Sequence, residues 1–302
     1  MFTNTFDFGY EIYPCTFNDG NDDGIGDLIG IKEKIPYLSE LGIKAVWICP
    51  IYLSPGVDCG YDVADYYQID PMYGTNDDLS NLIEVAHQYG IKIFLDIVPN
   101  HTSDQHELFQ KALADKNAPE RELFIFKDPK PDGSVPNNWL SVFGGSAWKY
   151  HEPTGQYYLH LFYPEQPDMN WRNPKVHELF EDILRYWFIK GIDGFRIDVS
   201  QGLYKHADFP DADLINPNLS SNAGVQDQFK NLDDVLYYCL PETPKVFEKW
   251  KQIANEYGAT MIGEMPSTTK ERLMPYLADT CMDTVTYLAS CWTPWDPEYL
   301  IQ

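Results

Sequence analysis

Four times along this chain a helical stretch ends in glycine and gives way to a short, nearly continuous apolar run. In one copy Leu79, Leu82, Ile83 and Ala86 fall at helical spacing after Thr75, with Asp78 as its capping-box partner. Gly90 then stops the helix, and Ile91-Lys92-Ile93-Phe94-Leu95-Asp96 reads as a buried strand. The same grammar runs from Leu41-Gly42 to Ile48, and from Lys190-Gly191 to Gly194-Phe195-Arg196-Ile197-Asp198-Val199. In the fourth copy Thr243 is the expected cap and Pro244 the first helical residue, with Val246, Trp250, Ile253 and Tyr257 on one face. Gly258 leads from there into Met261-Ile262-Gly263-Glu264. Helices alternating with apolar strands predict a parallel α/β sheet. A carboxylate stands at the end of three of the strands, where a β/α barrel places its chemistry. No G-x-G-x-x-G follows the first strand, which disfavours a doubly wound sheet. The expected fold is a barrel.

Between His101 and Trp171 the grammar stops. Pro136-Asn137-Asn138-Trp139 and Phe143-Gly144-Gly145-Ser146-Ala147-Trp148 belong to no helix pattern, and Tyr157 to Phe162 reads as a strand. About 70 residues is too long for an ordinary connection, so an inserted subdomain is expected. The expected division is 1–101 as the first part of the barrel, 102–172 as the insertion and 173–302 as the second part. A second polar stretch, 207–231, is expected to lie as a loop over the same face. The 46 acidic and 22 basic side chains give a net charge of −24, which repels phosphate backbones and excludes nucleic acid as a partner. Hydrophobic content of 44% with 15% aromatics excludes a disordered chain. No apolar run approaches a bilayer span, and Met1-Phe2-Thr3-Asn4 lacks a basic start, so no membrane association is expected. The six cysteines have no C-x-x-C spacing, and free thiols in a monomeric, cytoplasmic protein are expected.

Two groups of residues carry chemistry. Asp19, Asn21, Asp23 and Asp27 stand at positions 1, 3, 5 and 9 of a loop with Gly24 at position 6, the front of an EF-hand calcium loop. Gly30 occupies position 12 in place of the bidentate glutamate, so a structural Ca²⁺ would be completed by the Ile25 carbonyl. The other reading is an acidic turn capping the helix from Leu28. In the second group, strand alternation puts Arg196 and Asp198 on one side, where the cation would keep the carboxylate ionised as a nucleophile needs. Glu264, after apolar Met261-Ile262, is placed for general-acid work. Two such carboxylates suit a retaining glycosidase. A structural Arg–Asp pair is an equally good reading of the pattern alone.

Asp96-Ile97-Val98-Pro99-Asn100-His101, the run from Gly194 to Val199, and Ile262-Gly263-Glu264 resemble three conserved regions of glycoside hydrolase family 13, the α-amylase family. Gln166-Pro167-Asp168-Met169-Asn170-Trp171 is similar to the segment that closes inserted domain B in its α-glucosidase-like branch. Gly60-Tyr61-Asp62-Val63-Ala64-Asp65-Tyr66 is similar to its sugar-holding loop, and the loop from Asp19 to Asp27 to its calcium loop. The likeness runs from about Tyr10 to about Trp295. It implies a (β/α)8 TIM barrel with domain B after the third strand, Asp198 as nucleophile and Glu264 as acid/base. It also implies that Arg196 and His101 hold sugar and nucleophile, that Tyr61 is an aromatic platform and that Asp62 bonds the terminal glucose. Phe143 and Phe162 are either pocket wall or domain B core.

The family's fourth region, an Asn-His-Asp, does not occur in these 302 residues. Strands counted at about Tyr10, Ile43, Ile91, Phe195, Met261 and Met282 number six of eight, so an incomplete barrel from the N-terminal part of a longer enzyme is expected. Cys15-Thr16 stands where relatives carry Arg-Ser, and Val285-Thr286-Tyr287-Leu288 departs in the sixth strand region. The expected activity is exo-acting hydrolysis of short, neutral α-gluco-oligosaccharides with retention, Val199 tilting it toward α-1,6 links. A glucosyl transferase or isomerase of the same family, or an inactive amylase-like protein, are the alternatives.

Overall fold

The computed structural model describes residues 9–220, 222–265 and 269–287. Leu288, Cys291 and Trp295 lie outside them. Strands β1 (Gly9–Ile12), β2 (Ala45–Ile48), β3 (Lys92–Ile97), β4 (Gly194–Ile197), β5 (Thr260–Met265) and β6 (Thr284–Tyr287) form one sheet in chain order, every neighbour parallel. A doubly wound sheet reverses its order at a switch point. This one never does, so it is a barrel wall.

Helices α1 (Leu28–Glu40), α2 (Asn76–Gln88), α3 (Pro174–Ile189) and α4 (Thr243–Glu256) pack on the outside of the sheet. The Thr75–Asp78 capping box forms as expected, and Gly90, at φ +69°, takes the left-handed turn that ends the α2 segment. Leu79, Leu82, Ile83 and Ala86 are buried together. Full burial of a side chain of leucine or isoleucine size contributes about 1.5–3 kcal/mol. α4 differs from its sequence reading. Glu242 holds the cap position without a side-chain bond, so Thr243 is already helical and Pro244 sits second. Tyr257 lies one residue past the helix, exposed and stacked on Phe188 at 5.4 Å.

After β3 the chain leaves the sheet for a three-stranded antiparallel unit of Phe126–Lys127, Trp148–His151 and Gln156–Leu159. The last strand stops short of the expected Phe162. The chain returns through bridges pairing Phe124 with Met169 and His101 with Asp168. Ile125, Trp139, Trp148, Leu159 and Leu161 form a second core that also takes in Ala212, Leu232 and Tyr237. The stretch 207–231 is therefore bound to the inserted unit, and it carries a short helix, Val225–Lys230. Trp139 Nε1 donates to the Pro210 carbonyl at 2.9 Å, and Asn138 bonds both Asp211 and Ala212. Sheet end, insertion and this segment enclose one cleft.

Candidate active site

Register builds the floor of the cleft. Asp96 on β3 pairs with Arg196 on β4, and Arg196 with Ile262 on β5. Two residues further along, Asp198 and Glu264 lie on the same side by alternation. β4 can lie this close because it begins with glycine: a Cβ at Gly194 would stand 2.2 Å from the Thr260 carbonyl oxygen. Arg196 Nη1 reaches Asp198 Oδ1 at 2.7 Å and Asp96 Oδ1 at 3.0 Å, while Nη2 reaches Glu264 Oε1 at 2.9 Å. Its guanidinium lies 4.8 Å from the centre of the Trp47 ring and 5.8 Å from that of Tyr61. Trp47 Nε1 and the Tyr61 hydroxyl both donate to Asp96 Oδ2, at 3.1 and 3.0 Å.

One guanidinium faces three carboxylates, and burial makes the excess charge costly. Burial pushes Asp96 up to about 6 against the opposing pull of Arg196. Burial and the Glu264 charge push Asp198 upward, again against Arg196. Asp96 and Asp198 therefore hold their protons more tightly than isolated carboxylates would. Side-chain exposure ranks Asp96, Asp198 and Glu264 at 0, 9 and 20%, so Glu264 is the one that reaches the cleft most freely. Val199, between them, has φ +44°, a strained backbone for a β-branched residue. That turn aims its N–H at Glu264 Oε2, 3.0 Å away.

The cleft above holds about 970 Å³. Tyr61, His101, Phe143 and Phe162 line it together with Arg196, Asp198 and Glu264. Phe143 is thus cleft wall, and Phe162 both lines the cleft and packs against the insertion's core, with the two rings 5.8 Å apart and Phe162 5.1 Å from His101. Asp62 departs from its expected place. It is fully buried, and its carboxylate accepts from the Ser54 hydroxyl and the Val57 and Asp58 amides, each at 3.0 Å. It braces the loop and is spent on it. Asp58 lines the cleft instead, held by Gln166 Nε2 at 2.9 Å and raised in pKa by burial. Trp47, Asp58 and Glu11 on β1 are lining residues that sequence reading missed. Alternation within β2 could have flagged Trp47, since its neighbours Val46 and Ile48 are fully buried.

The family profile described as Alpha amylase, catalytic domain, matches residues 11–288. The chain belongs to the α-amylase family. It is 53% identical over 205 residues to the oligo-1,6-glucosidase of Heyndrickxia coagulans, which covers 68% of this chain and 37% of that protein. It is 43% identical over 250 residues to an alpha-glucosidase of Culex pipiens, covering 83% and 42%. The chain thus spans less than half the length of these α-amylase relatives. The crystal structure of an alpha-glucosyl transfer enzyme, XgtA, superposes with TM-score 0.87 at 36% identity, covering 92% of this chain and 53% of that one. The parallel sheet is accordingly six strands of the α-amylase family's (β/α)8 barrel.

The loop from Asp19 to Asp27 offers oxygen donors alone, the set a hard divalent cation takes. Asp27 caps α1 through Oδ1, 2.6 Å from the Gly30 amide, while its Oδ2 is buried with no hydrogen-bond partner among the described residues. That orphaned oxygen fits a cation. Asp19 is occupied otherwise, its carboxylate accepting from the amides of Asn21, Asp22, Asp23 and Gly24. Among the described residues no three Asp, Glu, His or Cys side chains are already arranged to hold a metal ion. Asn21 Oδ1 likewise accepts from the Asp23 amide, so the fit rests on the free oxygen of Asp27.

Proposed function

We propose that the protein carrying this chain hydrolyses terminal α-glucosidic bonds of short, neutral gluco-oligosaccharides with retention of configuration. The observation that carries this reading is the pair Asp198 and Glu264 on the two prongs of Arg196 at the floor of an aromatic-walled cleft. Asp198 attacks the anomeric carbon as the bond to the leaving oxygen breaks, and Glu264 protonates that oxygen. Water then attacks the glycosyl ester, returning a proton to Glu264 and freeing Asp198. Two inversions leave the configuration unchanged. Arg196 compensates the negative charge of Asp198 as it returns, and Tyr61, Phe143 and Phe162 supply apolar faces for a sugar ring.

The test compares wild type with Glu264→Gln on an aryl α-glucoside and on a disaccharide. The disaccharide rate should fall about 10²–10⁴-fold, the usual worth of general acid catalysis, and the aryl rate less, because its leaving group needs less protonation. Equal losses on both substrates would refute the acid assignment. The likeness to XgtA favours a second reading, in which a sugar hydroxyl replaces water at the glycosyl ester.

A Ca²⁺ in the loop from Asp19 to Asp27 is part of the proposal, supported by the orphaned Asp27 oxygen. A chelator should lower the melting temperature, and calcium should restore it; an unchanged melting temperature would contradict the site. The described cysteines are free thiols, which suits a reducing compartment, and no described helix is long and apolar enough to cross a membrane.

A further inference from the structure

We propose that Lys205 is a positioning residue that decides which ring nitrogen of His101 carries the proton. Lys205 is buried between three parts of the molecule. Its Nζ lies 2.6 Å from Asp168 Oδ2 at the end of the insertion, 2.7 Å from Asn100 Oδ1 after β3, and 2.6 Å from the Gly202 carbonyl after β4. An ammonium has donors and no acceptor, so its bond to Asn100 obliges that amide to present its oxygen. The Asn100 amide nitrogen then faces His101 Nδ1 at 3.1 Å. An amide NH₂ can only donate, so Nδ1 must be the unprotonated nitrogen. The ring proton sits on Nε2, where the Tyr61 carbonyl lies 3.2 Å away. Burial keeps the ring neutral, lowering its pKa to about 4.

Gln166 pulls the other way. Its Oε1 accepts from the Tyr163 amide and its Nε2 donates to Asp58, which fixes the amide with Nε2 only 3.0 Å from His101 Nε2. On its own, that second donor would prefer an unprotonated Nε2. His101 thus stands between two amide donors; only Nε2 also meets an acceptor, the Tyr61 carbonyl, and Lys205, by holding Asn100, keeps a donor on Nδ1. The result is a donor at Nε2, on the side of the ring that faces the Tyr61 carbonyl and the buried Gln166 amide. The sequence separates Lys205 from Asp198 by seven residues, so one loop carries both the carboxylate and the group that orients its neighbour.

Ring nitrogen shifts of ¹⁵N-histidine-labelled protein test this. The His101 resonances are assigned among the seven histidines by their loss in His101→Gln. Wild type should show a protonated Nε2 and an unprotonated Nδ1. In Lys205→Met the Asn100 amide is free to rotate, and the proton should move to Nδ1. Asn100→Asp keeps a partner for Lys205 and replaces the donor facing Nδ1 by an oxygen, so it should also protonate Nδ1, which decides the matter if Lys205→Met fails to fold. A wild-type ring protonated at Nδ1, or a variant ring that keeps Nδ1 unprotonated, would overturn the assignment.

Discussion

Asp62 accepts three hydrogen bonds from Ser54, Val57 and Asp58, and so shapes the loop that turns Asp58 toward the cleft. Hydrogen bonds to a buried charge are each worth about 1.5–3 kcal/mol. Asp62→Ala should therefore destabilise the fold by roughly 2–4 kcal/mol, read as a lower denaturation midpoint. Asp58→Asn should leave stability nearly unchanged and raise KM about 10- to 100-fold, the loss of one charge-assisted bond to a sugar hydroxyl. The reverse pattern would show that the loop is read wrongly. The sequence motif around Tyr61 pointed to a loop on the cleft, where Asp62 is buried in the loop's own hydrogen bonds and Asp58 faces the cleft. Spacing identifies a loop, but which oxygen faces outward depends on turn hydrogen bonds that no periodicity encodes.

At the scale of elements, what depends on neighbours in the chain was legible. The Thr75 capping box, the Gly90 stop and the six strands follow from local pattern. Contacts between distant segments were not. The 207–231 stretch reads as a polar loop, yet Ala212, with Phe209 and Phe229 packed beside it, completes a core begun by Trp139 and Leu159, far back in the sequence. His106 is another element-level surprise, the N-cap of the helix Glu107–Ala114, with Nδ1 accepting from the Leu108 amide at 3.2 Å. Burial lowers its pKa from 6.5 to about 4. The folded state thus binds the proton more weakly than the unfolded chain. Its stability contribution is full above pH 6.5 and is lost as pH falls toward 4. The loss is on the order of 3 kcal/mol. His106→Asn keeps a capping oxygen without titrating, so its melting temperature should fall less steeply over that interval. Parallel slopes would contradict the assignment.

The molecule as a whole joins a barrel wall to an inserted unit, and the cleft exists only where they meet. Its net charge of −24 is mostly solvated surface, yet three of those carboxylates converge on one buried arginine. That convergence was partly legible: Arg196 and Asp198 share one strand motif, whereas the register setting Asp96 and Glu264 beside them is a property of the folded sheet. The nucleophile is the central claim. The direct measurement uses an α-glucosyl fluoride with a second fluorine on the ring, which slows release of the glycosyl-enzyme enough for mass spectrometry of its peptides. One sugar adduct on the peptide containing Asp198, absent from Asp198→Asn, is the result predicted. An adduct on another carboxylate, or turnover that inverts the configuration with no adduct, would contradict it.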